Sequence, residues 1–204
     1  LDFKRLASKE IPADEEIKEQ SQLQVKTGGR PYIPGSSLKG AIRTAIVNYF
    51  FTEESERNIQ STKRYIGQDI LGEYDKDILK FLQVSDTMPF EEEDLRIVKF
   101  YRFTFKSESM DIPVVKEVIP PGRESTFTIG FKVRKAHQVD SRFEFLEGEK
   151  ASLLFEIINV YTRKNVENEL KELKRSSGSE LQAVKEFYAS LLDAIDTADV
   201  TKEA

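Results

Sequence analysis

The chain of 204 residues has 39% hydrophobic residues, enough to bury a sizeable core, and a formal net charge of −5. It has no cysteine, which excludes disulfides and thiolate metal sites, and its single histidine, His137, argues against a histidine metal site or a Ser-His triad. The acidic total argues against a protein whose whole surface coats nucleic acid. Its longest apolar stretches, such as residues 45–51, are far shorter than a membrane span, so we expect a soluble, cytoplasmic protein.

The first half of the chain contains one clear helix. Residues 11–21 are polar and acidic, which predicts an exposed segment, and residues 28–31 predict a break that leads into a short extended piece. Ser36 and Ser37 are N-cap candidates for the helix, which we expect to fray into solvent over residues 53–57. Its apolar residues recur at a spacing of three to four: Leu38, Ile42, Ala45, Ile46, Tyr49 and Phe50.

The middle of the chain has the periodicity of strands. Residues 77–84 predict the end of a strand followed by a turn, and residues 95–105 and 113–119 predict two further extended runs. In residues 125–134, apolar side chains alternate with polar ones or glycine. These runs predict a β-hairpin pair in an antiparallel sheet with one face covered.

The last quarter predicts two helices, over residues 149–174 and 180–198. The apolar stripe from Leu181 to Ile195 is expected to pack on the chain itself, with docking on a neighbouring subunit as the alternative. Strands mixed with a helix and followed by two helices indicate an α+β fold.

The start of the first helix combines the features of an anion site. Gly35 allows close backbone approach, and the amides that follow it lie at the positive end of the helix dipole. Ser36 and Ser37 add hydroxyl donors, and Gly40 removes a side chain where a phosphodiester could approach. These residues favour a phosphodiester over a nucleoside triphosphate.

Basic residues lie next to this site. Lys39 and Arg43 are four apart and therefore share one helical face, and residues 26–64 contain seven basic side chains against three acidic. A P-loop is excluded because Lys39 is followed by Gly40 and not by Ser or Thr. The same residues also fit a capped amphipathic helix with two exposed cations and a glycine tolerated for packing, and the residue types alone leave both interpretations open.

The string Ile33-Pro-Gly-Ser-Ser-Leu-Lys-Gly-Ala-Ile-Arg43 resembles the signature of the RAMP superfamily of CRISPR proteins, whose domains are ferredoxin-like. The longer string over residues 29–45 most resembles the family of fifth subunits of type III-A (Csm) complexes. Residues 81–87, and residues 116–123 with the strand at 127–131, are similar to the same family. The resemblance covers about half of the chain.

For the fold, the resemblance implies a ferredoxin-like (RRM-like) RAMP domain with an antiparallel sheet over residues 1–148, incomplete at its N-terminus. A helical segment over residues 149–204 would follow as the start of a truncated second domain. Members of the family are usually much longer, so we expect the chain to be part of such a protein.

For function, the resemblance implies a non-enzymatic subunit that binds crRNA near its 3′ end, supports crRNA maturation and takes part in antiviral defence. The implied partners are the backbone RAMP subunit, the small subunit and trimming nucleases, with no cofactor, metal or membrane. The RNA-binding motif would comprise Gly35, Ser36, Ser37, Lys39, Gly40 and Arg43. Further RNA contacts are expected from Arg30, Arg102, Lys132 and Arg134.

Several alternatives stay open. The chain could belong to a type III-B (Cmr) complex, could be a guide-trimming ribonuclease, or could be a scaffold that recruits nucleases through its C-terminal helices. Asp86 is either a catalytic acid or, as we expect, a turn or cap residue. The acidic run at residues 91–94 is either a cation site or a solvated loop, and we expect the loop. Tyr101, Phe103 and Phe105 are either a stacking platform for RNA or, as we expect, core residues.

Overall fold

A computed structural model describes residues 10–62, 66–104, 109–110, 112–132, 141–146, 150–176 and 181–197 of the chain. Its helices are α1 (Gly35–Phe50), α2 (Glu53–Thr62), α3 (Gln68–Leu71), α4 (Ser152–Leu173) and α5 (Gln182–Thr197). Its strands are β1 (Lys26–Thr27), β2 (Arg30–Pro31), β3 (Leu82–Val84), β4 (Arg96–Phe100), β5 (Phe103–Thr104), β6 (Ser109–Met110), β7 (Val114–Val118) and β8 (Ile129–Phe131). Short 3₁₀ helices span Ile78–Phe81, Glu92–Asp94 and Ser141–Leu146. Helices and antiparallel strands together confirm the α+β class.

The described residues fall into two compact units. The first contains the described part of Leu1–Gly35 together with Asp86–Phe127, and the second contains Ser36–Ser85 and the described residues of Thr128–Ala204. The predicted division of the chain at residue 148 stays a prediction.

The first unit is built on an antiparallel pair, β4 and β7, in which Arg96 lies opposite Val118 and Phe100 opposite Val114. Beside it, β1 and β2 form a tight hairpin through Gly28 and Gly29, whose φ angles are 55° and 84°. A two-residue turn with positive φ at both positions suits the twist of a hairpin and favours glycine. The break predicted at residues 28–31 is therefore a hairpin turn.

A buried carboxylate ties the β1–β2 hairpin to the strand pair. Glu117 in β7 is 6% exposed and lies 2.7 Å from the ammonium of Lys26. The same carboxylate accepts a hydrogen bond of 3.1 Å from the Gln24 amide. A buried carboxylate needs such partners, because burying a charge without them is costly.

The acidic segment before the hairpin is mostly exposed, as expected, and is held along the strand pair. The Ile97 amide donates to Pro12 O over 2.9 Å, and the Lys99 ammonium lies 3.3 Å from Glu15. Desolvation by burial acts to lower the pKa of Lys99, but the hydrogen bond and charge of Glu15 outweigh it, and the pKa is raised.

The second unit contains the main hydrophobic core. It forms because the apolar residues of α1 at a spacing of three to four line one face of the helix, as predicted. That face packs against the 3₁₀ segment before β3, the 3₁₀ segment at Ser141–Leu146, and the start of α4. The buried residues are Ile42, Ile46, Val47, Ile70, Leu71, Ile78, Leu79, Leu82, Phe143, Phe145, Leu146, Leu154 and Ile157.

Two local predictions are wrong. Residues 53–57 do not fray but begin α2, because Thr52 Oγ1 accepts the Ser55 amide at 3.3 Å and acidic side chains occupy the first turn, where the helix dipole favours them. The predicted pairing of the later strands also differs, since β7 pairs with β4 while β8 pairs with β3. Pro120 and Pro121 between β7 and β8 lack the amides that a continuing ladder needs.

Helices α4 and α5 confirm the two helices predicted for the last quarter. The helices pack together, with Leu181 buried and Arg163 of α4 paired with Asp196 of α5. Self-packing is confirmed for part of the α5 stripe only, because Phe187 is 60% exposed and Val184 is 38% exposed. Among the described residues, no helix combines the length and apolar character that a membrane crossing requires.

Candidate nucleic-acid interface

The extended piece at residues 31–33 fixes where α1 begins. Ile33 is bonded twice to Thr87: its amide donates to Thr87 Oγ1 over 2.9 Å, and its carbonyl accepts the Thr87 amide over 3.1 Å. The Pro31 carbonyl accepts the Phe90 amide over 2.8 Å. Two residues after Ile33 the chain enters α1 at Gly35.

Asp86 caps this helix, and the prediction that Ser36 and Ser37 are its N-cap residues is wrong, because the helix already begins at Gly35. Its Oδ1 accepts a hydrogen bond of 2.7 Å from the Gly35 amide, at the end of the helix where a negative charge is favourable. The side chains on either side of Asp86 also accept hydrogen bonds from backbone amides. Ser85 Oγ accepts one from the Thr128 amide at 2.9 Å, and Thr87 Oγ1 accepts one from the Ile33 amide. The expectation that Asp86 is a cap residue is confirmed.

The first turn of α1 presents an open polar face. Ser36 and Ser37 are exposed, and amides in the first turn of a helix have no acceptor within the helix. Gly40 is exposed too, and apart from its two chain neighbours and the nearby backbone of its own helix, a Cβ added there would meet no described atom within 4 Å. Packing within the described part of the chain therefore does not explain this glycine. The open face continues one turn further at Thr44.

Lys39 and Arg43 lie on the edge of this face and not in free solvent. The Lys39 ammonium donates to Leu82 O over 2.7 Å. Arg43 Nη2 lies 4.0 Å from Asp77 Oδ2, and its Nη1 donates to Ile66 O over 3.4 Å. The alternative interpretation of a capped helix with two exposed cations does not hold for these residues, because both side chains are half-buried and hold α1 against the segment that leads into β3. An ammonium carries three donors, and the bond to Leu82 uses one of them.

Of the further predicted contacts, the structure brings Lys132 near Lys39. The Lys132 amide donates to Phe81 O over 2.9 Å, and Lys39 holds the carbonyl of the next residue, Leu82. The Lys132 side chain is exposed. Sequence reasoning missed Lys80, which precedes Phe81 and is exposed; its ammonium donates to Asp75 O over 3.1 Å and lies 5.3 Å from the centroid of the Phe81 ring.

Arg30 and Arg102, two of the other predicted contacts, belong to the first compact unit. Arg30 is paired with the Glu91 carboxylate and donates to Pro89 O over 3.4 Å. Arg102 is exposed, and Arg134 lies outside the described residues.

The acidic run after β3 is engaged in ion pairs. Glu91 pairs with Arg30, and Asp94 accepts Arg123 at 2.8 Å. Within the described residues, no group of three or more His, Cys, Asp or Glu side chains is arranged to hold a metal ion.

The expectation that the aromatic residues after β4 belong to the core is wrong for Tyr101. Tyr101 and its neighbour Phe100 are each 47% exposed. The Lys116 ammonium lies 5.6 Å from the centroid of the Phe100 ring. The side chains of Phe103 and Phe105 lie outside the described part of the structure.

A cavity of about 420 Å³, which sequence reasoning missed, opens beside the second half of α1. It is lined by Arg43, Thr44, Val47, Asn48, Phe51 and Ile66. Arg43 and Val47 are four residues apart and share one side of the helix, and Phe51 follows at the same spacing just after the helix ends at Phe50. The sequence could have revealed this spacing. The position of Ile66 follows only from the fold.

A family model described as the RAMP superfamily matches residues 14–196 of the chain. Two curated relatives are Csm5 proteins. The one from Methanocaldococcus jannaschii is 31% identical over 163 residues, covering 69% of this chain and 37% of the relative. The one from Streptococcus thermophilus is 33% identical over 111 residues, covering 50% of this chain and 31% of the relative. The chain thus spans about a third of the length of the curated relatives that it matches.

Two solved structures share the fold. One is the crystal structure of Csm5 from T. onnurineus, with a TM-score of 0.62 and 21% identity, covering 90% of this chain and 64% of that one. The other is the cryo-EM structure of a Csm–crRNA–target RNA ternary complex of a type III-A CRISPR-Cas system. It matches with a TM-score of 0.58 and 21% identity, covering 86% of this chain and 58% of the matched chain.

Proposed function

This chain belongs to the RAMP superfamily, and from that premise we propose that it is an RNA-binding subunit of a type III-A (Csm) CRISPR effector complex. It binds crRNA near the 3′ end, supports crRNA maturation and serves antiviral defence in the cytoplasm, through a domain of the ferredoxin-like kind. Its partners are the crRNA, the backbone RAMP subunit, the small subunit and trimming nucleases. The names of the curated relatives and the complex with the related fold support this proposal.

The observation that carries the proposal is the open face of α1. Glycine inside a helix costs about 1 kcal/mol relative to alanine, and no described atom packs against Gly40 that would account for it. A close approach by something outside the chain does account for it. A phosphodiester at Ser37 and Gly40 is within reach of a serine hydroxyl and of the amides of the first turn. Gly40 has no side chain that would push the phosphodiester away from the helix.

Lys39 and Arg43 contribute to this site through their charge. Their partners within the fold hold them at the edge of the open face, so that their field reaches a phosphate without the entropy cost of ordering a free side chain. Gly35, Ser36, Ser37, Lys39, Gly40 and Arg43 therefore form the proposed RNA-binding site. Arg30, Arg102, Lys132 and Arg134 are proposed as secondary contacts.

We propose a structural role and not catalysis. Asp86 is the acid that the ribonuclease alternative needs, and its carboxylate is bonded to the Gly35 amide at 2.7 Å as a helix cap. A cap that holds the start of α1 explains why an aspartate stands at this position without invoking proton transfer.

Helix α5 exposes apolar side chains that an adjacent subunit of a complex could cover. Phe187, at 60% exposure, and the neighbouring Val184 are the most exposed part of a stripe whose other residues are buried or half-buried. We propose that this patch contacts an adjacent subunit.

The test of RNA binding introduces one negative charge on the open face. Gly40→Glu is compared with Asn168→Glu, which adds the same charge at an exposed position of α4. Affinity for a fluorescently labelled single-stranded RNA is measured by anisotropy over a range of salt concentrations. Gly40→Glu should weaken binding by about tenfold at low salt, equivalent to ~1.4 kcal/mol, whereas Asn168→Glu should bind like the wild type. Equal affinities for all three proteins would rule out the site.

A further inference from the structure

The cavity beside α1 combines apolar walls with polar groups at its rim. Val47 is buried at its base, and Phe51, at 39% exposure, together with Ile66 supplies apolar surface. Thr44 and Asn48 are exposed and contribute a hydroxyl and an amide. Ligand sites of small molecules share this composition: mostly apolar walls with a few polar groups that fix orientation.

We propose that this cavity receives one nucleobase of the RNA strand whose phosphates lie on the open face of α1; the inference rests on the proposed function. A nucleobase has two apolar faces and a polar edge. Phe51 offers a ring on which a face can stack, and the Asn48 amide offers its NH₂ donor to the edge, because its oxygen already accepts a hydrogen bond from Lys164. Single-stranded RNA is commonly held by such unstacked bases on aromatic side chains.

The position of the cavity along α1 supports this occupant. Thr44, on its rim, is one helical turn from Gly40, and its hydroxyl donates to Gly40 O over 3.0 Å. One turn advances about 5.4 Å along the axis, a distance that a single nucleotide spans. A strand that crosses Gly40 therefore brings its next base to the mouth of the cavity.

The charges around the cavity favour RNA over a protein side chain. Arg43 lines it, and the Lys164 ammonium lies 3.5 Å from Asn48 Oδ1. Among the described residues, those that line the cavity include no carboxylate. An apolar side chain of a neighbouring subunit would fit the walls but would gain nothing from the positive charge of Arg43 and Lys164, whereas an RNA strand with its phosphates would.

The experiment uses the full chain and two probes of equal length: a labelled single-stranded RNA, and an abasic strand with the same sugar–phosphate backbone. Wild type, Phe51→Ala, Phe51→Leu and Phe51→Tyr are compared by anisotropy, after circular dichroism has established that each variant is folded. Phe51→Leu keeps an apolar side chain but removes the aromatic face, whereas Phe51→Tyr keeps that face.

The expected result is a loss of about tenfold in RNA affinity for Phe51→Ala and Phe51→Leu, as stacking on an aromatic residue predicts. Phe51→Tyr should retain wild-type affinity, and all four proteins should bind the abasic strand equally. RNA affinity that is unchanged in Phe51→Ala overturns the base site, and so does an equal loss on both probes. Unchanged RNA affinity with weakened binding to a neighbouring subunit would assign the cavity to a protein side chain. If the wild type binds neither probe, the proposed function itself fails.

Discussion

Gly40→Ala should make the chain more stable and its binding to RNA weaker. Gly40 lies inside α1, where a glycine has more conformational freedom to lose on folding than an alanine. Beyond its chain neighbours and the nearby backbone of its own helix, an added Cβ has no described atom within 4 Å, so no clash offsets the gain in helix propensity. At a position that takes no part in binding, a substitution that raises the stability of the chain is not expected to weaken its affinity for RNA.

The size of the gain follows from helix propensity. Replacing glycine by alanine in a helix interior stabilises it by about 0.8–1.0 kcal/mol. For a chain of 204 residues, 1 kcal/mol shifts Tm by roughly 2–4 °C. If a phosphodiester is in van der Waals contact with the Gly40 backbone, the methyl group overpacks that contact, and overpacking costs about 1–3 kcal/mol. The lower end of that range corresponds to about a fivefold loss of affinity.

Thermal melting followed by circular dichroism gives the stability, and anisotropy with labelled single-stranded RNA gives the affinity. Gly67→Ala is the matched control, because Gly67 has a φ of 88° and a Cβ there would lie 2.6 Å from Val47 Cγ2. The control should lower Tm. If Gly40→Ala has a raised Tm but binds RNA with wild-type affinity, the RNA does not approach the Gly40 backbone closely. If Gly40→Ala has a lowered Tm, the added methyl group clashes with the protein, and the face of α1 around Gly40 is not open.

Three further outcomes follow from the contacts around α1 and on α5. Asp86→Ala removes the acceptor of the Gly35 amide and should lower the free energy of unfolding by about 1 kcal/mol in a urea titration, whereas an unchanged stability would argue against the cap. Lys39→Ala removes the bond to Leu82 O and one charge, so it should both lower Tm and flatten the salt dependence of RNA binding by about 0.7 in the log–log slope; a change in neither would contradict its double role. Phe187→Ser should leave the Tm of the isolated chain equal to that of the wild type within experimental error, and it should weaken co-purification of the chain with other subunits of the complex. If the complex is recovered in full, α5 is not part of the interface.

Local patterns in the sequence predicted the helices that contain an amphipathic stripe. Ile42 and Ile46 in α1, and Leu154 and Ile157 in α4, are buried as their spacing indicated. The start of α2 was missed because three acidic residues were interpreted as a solvated end of α1, although negative charge in a first turn also stabilises a new helix.

Long-range partners could not be predicted from local patterns. Lys39 bonds to a carbonyl 43 positions later, and the Gly35 amide meets a carboxylate 51 positions later. Nothing in the residues around position 39 distinguishes a lysine that holds a carbonyl from one in solvent. The partner of β8 was missed for the same reason, because strand periodicity defines which face is buried but not which strand lies alongside.

The central claim is that an RNA strand lies on α1 at Ser37 and Gly40. Its most direct test places a photoreactive benzoylphenylalanine at position 37 in one protein and at position 168 in another, both exposed helical positions. Each protein is irradiated with labelled crRNA under identical conditions. Cross-linking at position 37 with none at position 168 is the predicted result. Equal cross-linking at both positions, or cross-linking at position 168 alone, would contradict the claim.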